Sequence, residues 1–318
     1  MTDPPYGIAF QGERWDGAAI REAAARAGHQ RLSHSEAYQA WCRAWASQCL
    51  RVLKPGGQLL AFGSPRTAHR LAAGLEDAGL ELRDTLLWLY GTGMPKSRRL
   101  AGGRGTALKP AYEPILLARR PPAAPIAQTI QRHGTGALNI DACRINGRHP
   151  ANVISSHAPA CQPDRCDPGC AVALVNTDAA QGRAPSNAAG PASRLFYCPK
   201  VSRPERDAGC EQLPPRALDL FPNAQAAGGA SPAHNQHPTV KPLALMRWLV
   251  RLATPEDGLV LDPFCGSGST GAAAVLEGRR FLGIEASPEY AVIARARIGH
   301  WSGRDGQEHE AVPFAKSA

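Results

Sequence analysis

The residues that could do chemistry fall into three groups. The first is Leu259-Val260-Leu261-Asp262-Pro263-Phe264-Cys265-Gly266-Ser267-Gly268-Ser269-Thr270-Gly271, an apolar run followed by a Gly-rich turn and a helix start. Glycines let backbone approach a ligand closely, and a helix start offers unpaired N–H groups. About 20 residues past the strand, Phe281-Leu282-Gly283-Ile284-Glu285 puts an acid at a strand end, where a nucleotide-type fold grips ribose hydroxyls. The second group is Asp3-Pro4-Pro5-Tyr6-Gly7. Two prolines stiffen the backbone and fix its carbonyls. Asp3 and the Pro4 carbonyl could accept the hydrogens of an exocyclic amine while Tyr6 offers its ring a flat face. The third is His237-Pro238-Thr239-Val240-Lys241-Pro242, which opens the helix before the Gly-rich strand and reads as a cofactor-facing loop.

A looser group, His157, Cys161, Cys166 and Cys170, has side chains suited to a structural zinc that could pin a core-poor loop. Unliganded thiols are the competing reading.

Asp-Pro-Pro-Tyr, His-Pro-Thr-x-Lys-Pro and Asp-Pro-Phe-x-Gly-Ser-Gly-x-Thr, in that order, resemble the amino-group DNA methyltransferases that use S-adenosylmethionine. Catalytic motif before cofactor motif resembles their circularly permuted β group. Gly134–Ile140 and Ser193–Lys200 resemble segments of its phage and prophage branch. The resemblance implies an α/β fold: a seven-stranded, Rossmann-like methyltransferase sheet with helices on both faces and an irregular target-recognition insert. It implies a site-specific enzyme that flips a base out of double-stranded DNA. By motif match Asp3, Pro4, Pro5 and Tyr6 are catalytic. Asp262, Pro263, Phe264, Gly266 and Gly268 surround the cofactor, Glu285 holds its ribose, and Thr239 and Lys241 flank it. Asp in the first motif position favours N6 of adenine; N4 of cytosine is the alternative. A homodimer, a partner restriction endonuclease and a bacterial or phage-encoded protein of the cytoplasm are further expectations. No cysteine nucleophile is required. A pyrimidine C5 methylase would typically carry one after proline, and none of the 28 prolines precedes Cys.

One departure stands out. An apolar strand normally precedes the Asp-Pro-Pro-Tyr motif, near the sheet centre and beside the cofactor strand, whereas here only Met1 and Thr2 do. The expectation is either a start further upstream or a truncated remnant that binds DNA and cofactor without catalysis.

The elements that must position these residues follow from periodicity. Ser35 reads as the cap of a helix running to Val52, with Tyr38, Trp41, Trp45, Cys49 and Val52 on one stripe. Trp41, Trp45 and Trp88 read as core. Strands are expected at Gln58–Phe62, Leu86–Tyr90, Glu113–Ala118, Leu259–Asp262 and Arg280–Ile284. Helices are expected at Thr67–Ala78, Pro242–Ala253, Thr270–Glu277 and Pro288–Ile298. The organisation reads as a catalytic half (1–93), a target-recognition, DNA-binding insert (94–236), a cofactor-binding half (237–301) and a polar tail (302–318).

Composition agrees. In 318 residues, 43% hydrophobic and 20% charged is globular, and Gly 32 with Pro 28 means long loops. Nine cysteines are too few for a disulfide scaffold. No apolar run is long enough to span a bilayer, and the first residues do not read as a secretory signal. Net charge is +9, and residues 94–150 carry ten basic against two acidic residues. That suits a phosphate-facing surface.

Overall fold

The computed structural model describes residues 1–90, 100–145, 147, 149–155, 170, 196–197, 200–216, 232–303 and 314–315. Helix α1 (Ala18–Arg26) and helix α2 (His34–Val52) come first. The cap of α2 is Ser33, not Ser35: Ser33 and Glu36 form a reciprocal capping box, whereas Ser35 would put Tyr38 in the position that Glu36 fills. Buried positions on α2 are Ala37, Tyr38, Cys42, Ala46 and Cys49, and Val52 is exposed, so the inward stripe ends one turn early.

Strand β1 (Gln58–Phe62), helix α3 (Ala68–Asp77), strand β2 (Glu81–Leu89) and strand β3 (Tyr112–Arg119) follow. β2 is longer than its apolar stretch because charged Glu81–Asp84 still pair with β3, across a register shift between Leu82 and Asp84. β3 runs antiparallel to both β1 and β2 and so lies inside the sheet, although its residues belong to the segment read as an insert. Helix α4 (Ile126–His133) precedes β4 (Val153–Ser155), which pairs parallel with β2, and β5 (Phe196–Tyr197) continues that edge. The five-stranded order is β1-β3-β2-β4-β5.

Helix α5 (Arg203–Asp207) and helix α6 (Leu243–Ala253) lead into β6 (Leu259–Asp262), helix α7 (Ser269–Leu276), β7 (Arg280–Ile284), helix α8 (Pro288–Trp301) and β8 (Phe314–Ala315). β6, β7 and β8 form a parallel three-stranded sheet. The two sheets meet at the position expected of the strand before Asp3. Thr2 pairs parallel with Ala61, its N–H donating to Leu60 O (2.9 Å) while Phe62 N–H donates to Thr2 O (3.0 Å). On the other side the Met1 nitrogen donates to Leu261 O (2.8 Å) and the Thr2 hydroxyl to Asp262 Oδ1 (2.7 Å).

Strand alternation sorts the core into two layers. Leu59, Ala61, Leu116 and Ala118 pack with α2 and α3, while Leu60, Phe62, Ile115 and Leu117 pack with α6. Helices therefore cover both faces. Among the described residues no helix is long and apolar enough to cross a membrane.

Gly134–Ile140 ties the halves together. Asn139 Nδ2 donates to Arg251 O and Thr254 O (2.8 Å each), and its N–H donates to Leu252 O (2.9 Å). One side chain thus satisfies carbonyls that the end of α6 leaves unpaired. Asn139→Ala is expected to cost about 1–3 kcal/mol of stability, read as a lowered midpoint in urea denaturation.

Candidate active site

The site begins where Asp3 leaves the junction of the two sheets. Its Oδ1 accepts the Tyr6 hydroxyl at 2.8 Å, and its Oδ2 is paired with Lys241 Nζ. A second acid joins them: Glu113 Oε2 lies 3.2 Å from the Tyr6 hydroxyl and 3.5 Å from Lys241 Nζ. Burial pushes the Asp3 carboxyl up, Lys241 pulls it back, Glu113 pushes it up again, and the net is upward. For Lys241, burial lowers the ammonium, but Asp3 and Glu113 outweigh it and the net is upward. The Tyr6 phenol is raised well above its ordinary range by burial and then by both acids. It stays a donor.

The backbone of this segment is held from several sides. Tyr38 OH donates to Pro5 O (3.1 Å) and Thr67 Oγ1 to Tyr6 O (2.7 Å). The Pro4 carbonyl accepts no hydrogen bond among the described residues. Buried Asp16 collects three N–H groups, from Gly7 (2.8 Å), Ile8 (3.2 Å) and Phe10 (2.8 Å). That folds the next loop back and brings Trp15 to the cavity wall.

One cavity of about 450 Å³ joins the motif groups. Asp3, Pro5, Thr239 and Lys241 line one part; Asp262, Pro263, Phe264, Gly266 and Glu285 line the rest. Pro4, Tyr6 and Gly268 do not line it: Pro4 is buried, Tyr6 reaches Asp3 through its hydroxyl, and Gly268 caps α7 in a left-handed conformation (φ 76°). A Cβ at Gly268 would lie 2.9 Å from Ala294 Cα, so this glycine serves helix packing. At Gly266 (φ 53°) a Cβ would lie 2.7 Å from His237 Nε2, so the turn tolerates only glycine beside that ring.

Asp262 is buried, and its Oδ1 takes the Thr2 hydroxyl and Phe264 N–H (3.1 Å). Glu285 accepts Gly266 N–H (2.7 Å) and Ser287 N–H (2.9 Å), which fixes the carboxylate across the Gly-rich turn. Phe264 sits in an aromatic corner, 5.4 Å from the Trp41 ring and 5.6 Å from Trp45.

A family model described as DNA methylase matches residues 1–296. The chain belongs to this N6/N4 DNA methylase family. Among its relatives is the type II methyltransferase M.HindIII of Haemophilus influenzae, 25% identical across 94% of this chain and 88% of that protein. A second is M2.DpnII of Streptococcus pneumoniae, 49% identical over 63 residues that cover 20% of this chain and 24% of the relative. The fold is shared with the PvuII DNA methyltransferase (cytosine-N4-specific), with a TM-score of 0.52 and 16% identity over 93% of this chain and 77% of that one.

Within this methylase fold several readings need correcting. Trp41 packs against the buried core cluster beside α2 and also forms part of the cavity wall: periodicity shows which side faces inward, not whether a space lies there. Trp88 is core, 2% exposed. Of the basic residues in 94–150, Arg119 pairs with Glu81 (2.6 Å) and Arg120 donates to Leu50 O and Leu53 O, so these two brace the sheet. Arg104, Lys109, Arg132 and Arg144 are exposed, and Lys96, Arg98, Arg99 and Arg148 lie outside the described residues. His157, Cys161 and Cys166 also lie outside them. Cys170 is buried, and among the described residues no group of three or more His, Cys, Asp or Glu is arranged to hold a metal, so the zinc reading gains no support. Glu113 and Asp16 were missed. For Glu113 a signal existed: period two places it on the face of β3 that carries buried Ile115 and Leu117.

His237 is half-buried against Tyr290 (centroids 4.5 Å apart), and its Nδ1 accepts Thr239 N–H (3.3 Å). Burial, then Lys241, Arg206 and Arg297, push it down to about 3. An unfolded histidine titrates near ~6.5. Between those values the unfolded chain binds the extra proton, so stability falls as pH drops, by up to about 1.4 kcal/mol per pH unit. His237→Asn should flatten that slope between pH 7 and 4, measured by denaturant titration at each pH.

Proposed function

We propose that this chain transfers a methyl group from S-adenosylmethionine to the exocyclic amine of a base flipped out of double-stranded DNA, at N6 of adenine. The observation that carries the reading is the continuity of one cavity from Asp3 to the Gly266–Glu285 turn. An amine acceptor and a nucleotide-type cradle thereby face a common space.

The residues fit the cofactor. Carboxylates at Asp262 and Glu285 suit an ammonium and ribose hydroxyls, Phe264 and Trp41 give flat faces for a purine, and Gly266 keeps the turn open. S-adenosylmethionine, when bound, supplies an electrophilic methyl on a sulfonium. The protein's own part is geometric. Asp3, at the cavity wall, accepts an amine hydrogen and aims the nitrogen lone pair, while the Tyr6 hydroxyl holds its carboxylate in place. As the N–C bond forms, the nitrogen sheds a proton, for which the Asp3 carboxylate is the adjacent acceptor. Lys241 offsets part of the burial that disfavours that carboxylate's charge. Exposed Arg104, Lys109, Arg132 and Arg144 suit duplex phosphates. Adenine is favoured by Asp in the first motif position.

The full chain, labelled S-adenosylmethionine and unmethylated plasmid DNA should yield N6-methyldeoxyadenosine after digestion to nucleosides. N4-methyldeoxycytidine would overturn the base assignment, and cofactor binding without any product would overturn the transfer. Asp3→Ala should lower kcat by roughly 10²–10³-fold while leaving cofactor affinity, followed by Trp fluorescence, nearly unchanged.

A further inference from the structure

Both oxygens of Asp3 are engaged, Oδ1 by the Tyr6 hydroxyl and Oδ2 by Lys241. A base amine presented to Asp3 therefore meets two donors already in place. One acceptor stands within reach of both: Glu113 Oε2, 3.2 Å from the same hydroxyl and 3.5 Å from the same Nζ. Glu113 does not line the cavity, so it acts on a bound base only through Lys241 and Tyr6.

Charge makes this arrangement unusual. The Asp3 and Glu113 side chains are each 16% exposed and share a lysine that is 7% exposed. A lysine placed only to neutralise a buried acid needs one carboxylate; a second adds repulsion. The second acceptor, which Tyr90 also approaches, has a further use if the donors can change partner. The movement required is small. Nζ must shift by about 0.7 Å and the hydroxyl by about 0.5 Å to reach charge-assisted hydrogen-bond distance. The position of Glu113 is fixed by its β3 backbone, paired opposite Trp88 of β2.

We propose that Glu113 is a positioning residue for methyl transfer, taking over Lys241 Nζ and the Tyr6 hydroxyl as Asp3 turns its oxygens to the incoming amine. This rests on the methyl-transfer reading above. No covalent bond changes and no proton need cross between the acids. Every buried donor keeps a partner throughout, which avoids the cost of leaving an ammonium unpaired.

The test uses the full chain and its Glu113→Gln, Glu113→Asp and Glu113→Ala variants. Steady-state transfer from labelled S-adenosylmethionine to unmethylated plasmid DNA gives kcat and KM, and Trp fluorescence with S-adenosylmethionine alone gives cofactor affinity. Glu113→Gln keeps length but not charge. It is expected to lower kcat roughly 10- to 100-fold, with cofactor affinity and the KM for DNA within a few-fold of wild type. Glu113→Asp should recover much of the lost kcat, and Glu113→Ala should do no better than Gln. Wild-type kcat in Glu113→Gln, with wild-type transfer intact, would overturn this proposal alone. Parallel loss of cofactor affinity, thermal stability and kcat in all three variants would make Glu113 a structural partner and also overturn it. A wild-type chain that binds cofactor but transfers nothing would overturn both readings, since no amine then needs Asp3.

Discussion

The two sheets of this protein meet on one short run of backbone, and the rest of the structure is registered to it. Thr2 exchanges hydrogen bonds with Leu60 and Phe62 on one side, and its hydroxyl reaches Asp262 on the other. Buried backbone groups must pair, so this junction has little freedom. The next residue along is Asp3. Its carboxylate is therefore delivered to a position set by β1 and β6 together, and the same hydroxyl that joins the sheets also fixes Asp262. Asp3 and Asp262, the two acids of the proposed site, are aligned by a single ladder.

Charge is then arranged around that frame on largely buried side chains. The Gly-rich turn is gripped from two sides. Glu285 accepts Gly266 N–H in front. Behind, fully buried Arg297 donates to Ser267 O (2.8 Å), Ser267 Oγ (3.2 Å) and Ser269 Oγ (3.0 Å). Burial lowers the Arg297 pKa, but an arginine stays charged. His237, next to the same turn, is instead held neutral by burial and nearby cations. A cation that cannot lose its proton holds the loop, and a base that can lose one does so. Both outcomes follow from the cost of charge in a poorly solvated site.

How much of this was legible depends on whether the signal was local. β6, β7 and the helices beside them were readable because apolar runs, glycines and prolines punctuate them without help from elsewhere. The cap of α2 was misread because Ser33 and Ser35 both suit a cap, and only the reciprocal bond to Glu36 separates them. The charged half of β2 was missed because its pairing with β3 comes from 33 to 38 residues away along the chain. Motif spacing named nine residues that do share the cavity. It could not name Trp41, which differs from a core tryptophan only in facing a space, nor Asp16, whose three N–H partners exist only once the loop has closed.

The chemistry left to such a site is orientation. Cys265 lines the cavity, but burial, then Asp262 and Glu285, push its thiol well above the ordinary range, so it stays protonated at neutral pH and is a poor nucleophile. Cys42 is pushed up to about 12 by burial. An amine that carries its own lone pair asks for no covalent partner. It asks for acceptors that fix its hydrogens and for a path on which the attacking atom meets the methyl in line. In the transfer proposed above, Asp3, set by the sheet junction, would meet the first need, and a cavity continuous with the Gly-rich turn the second.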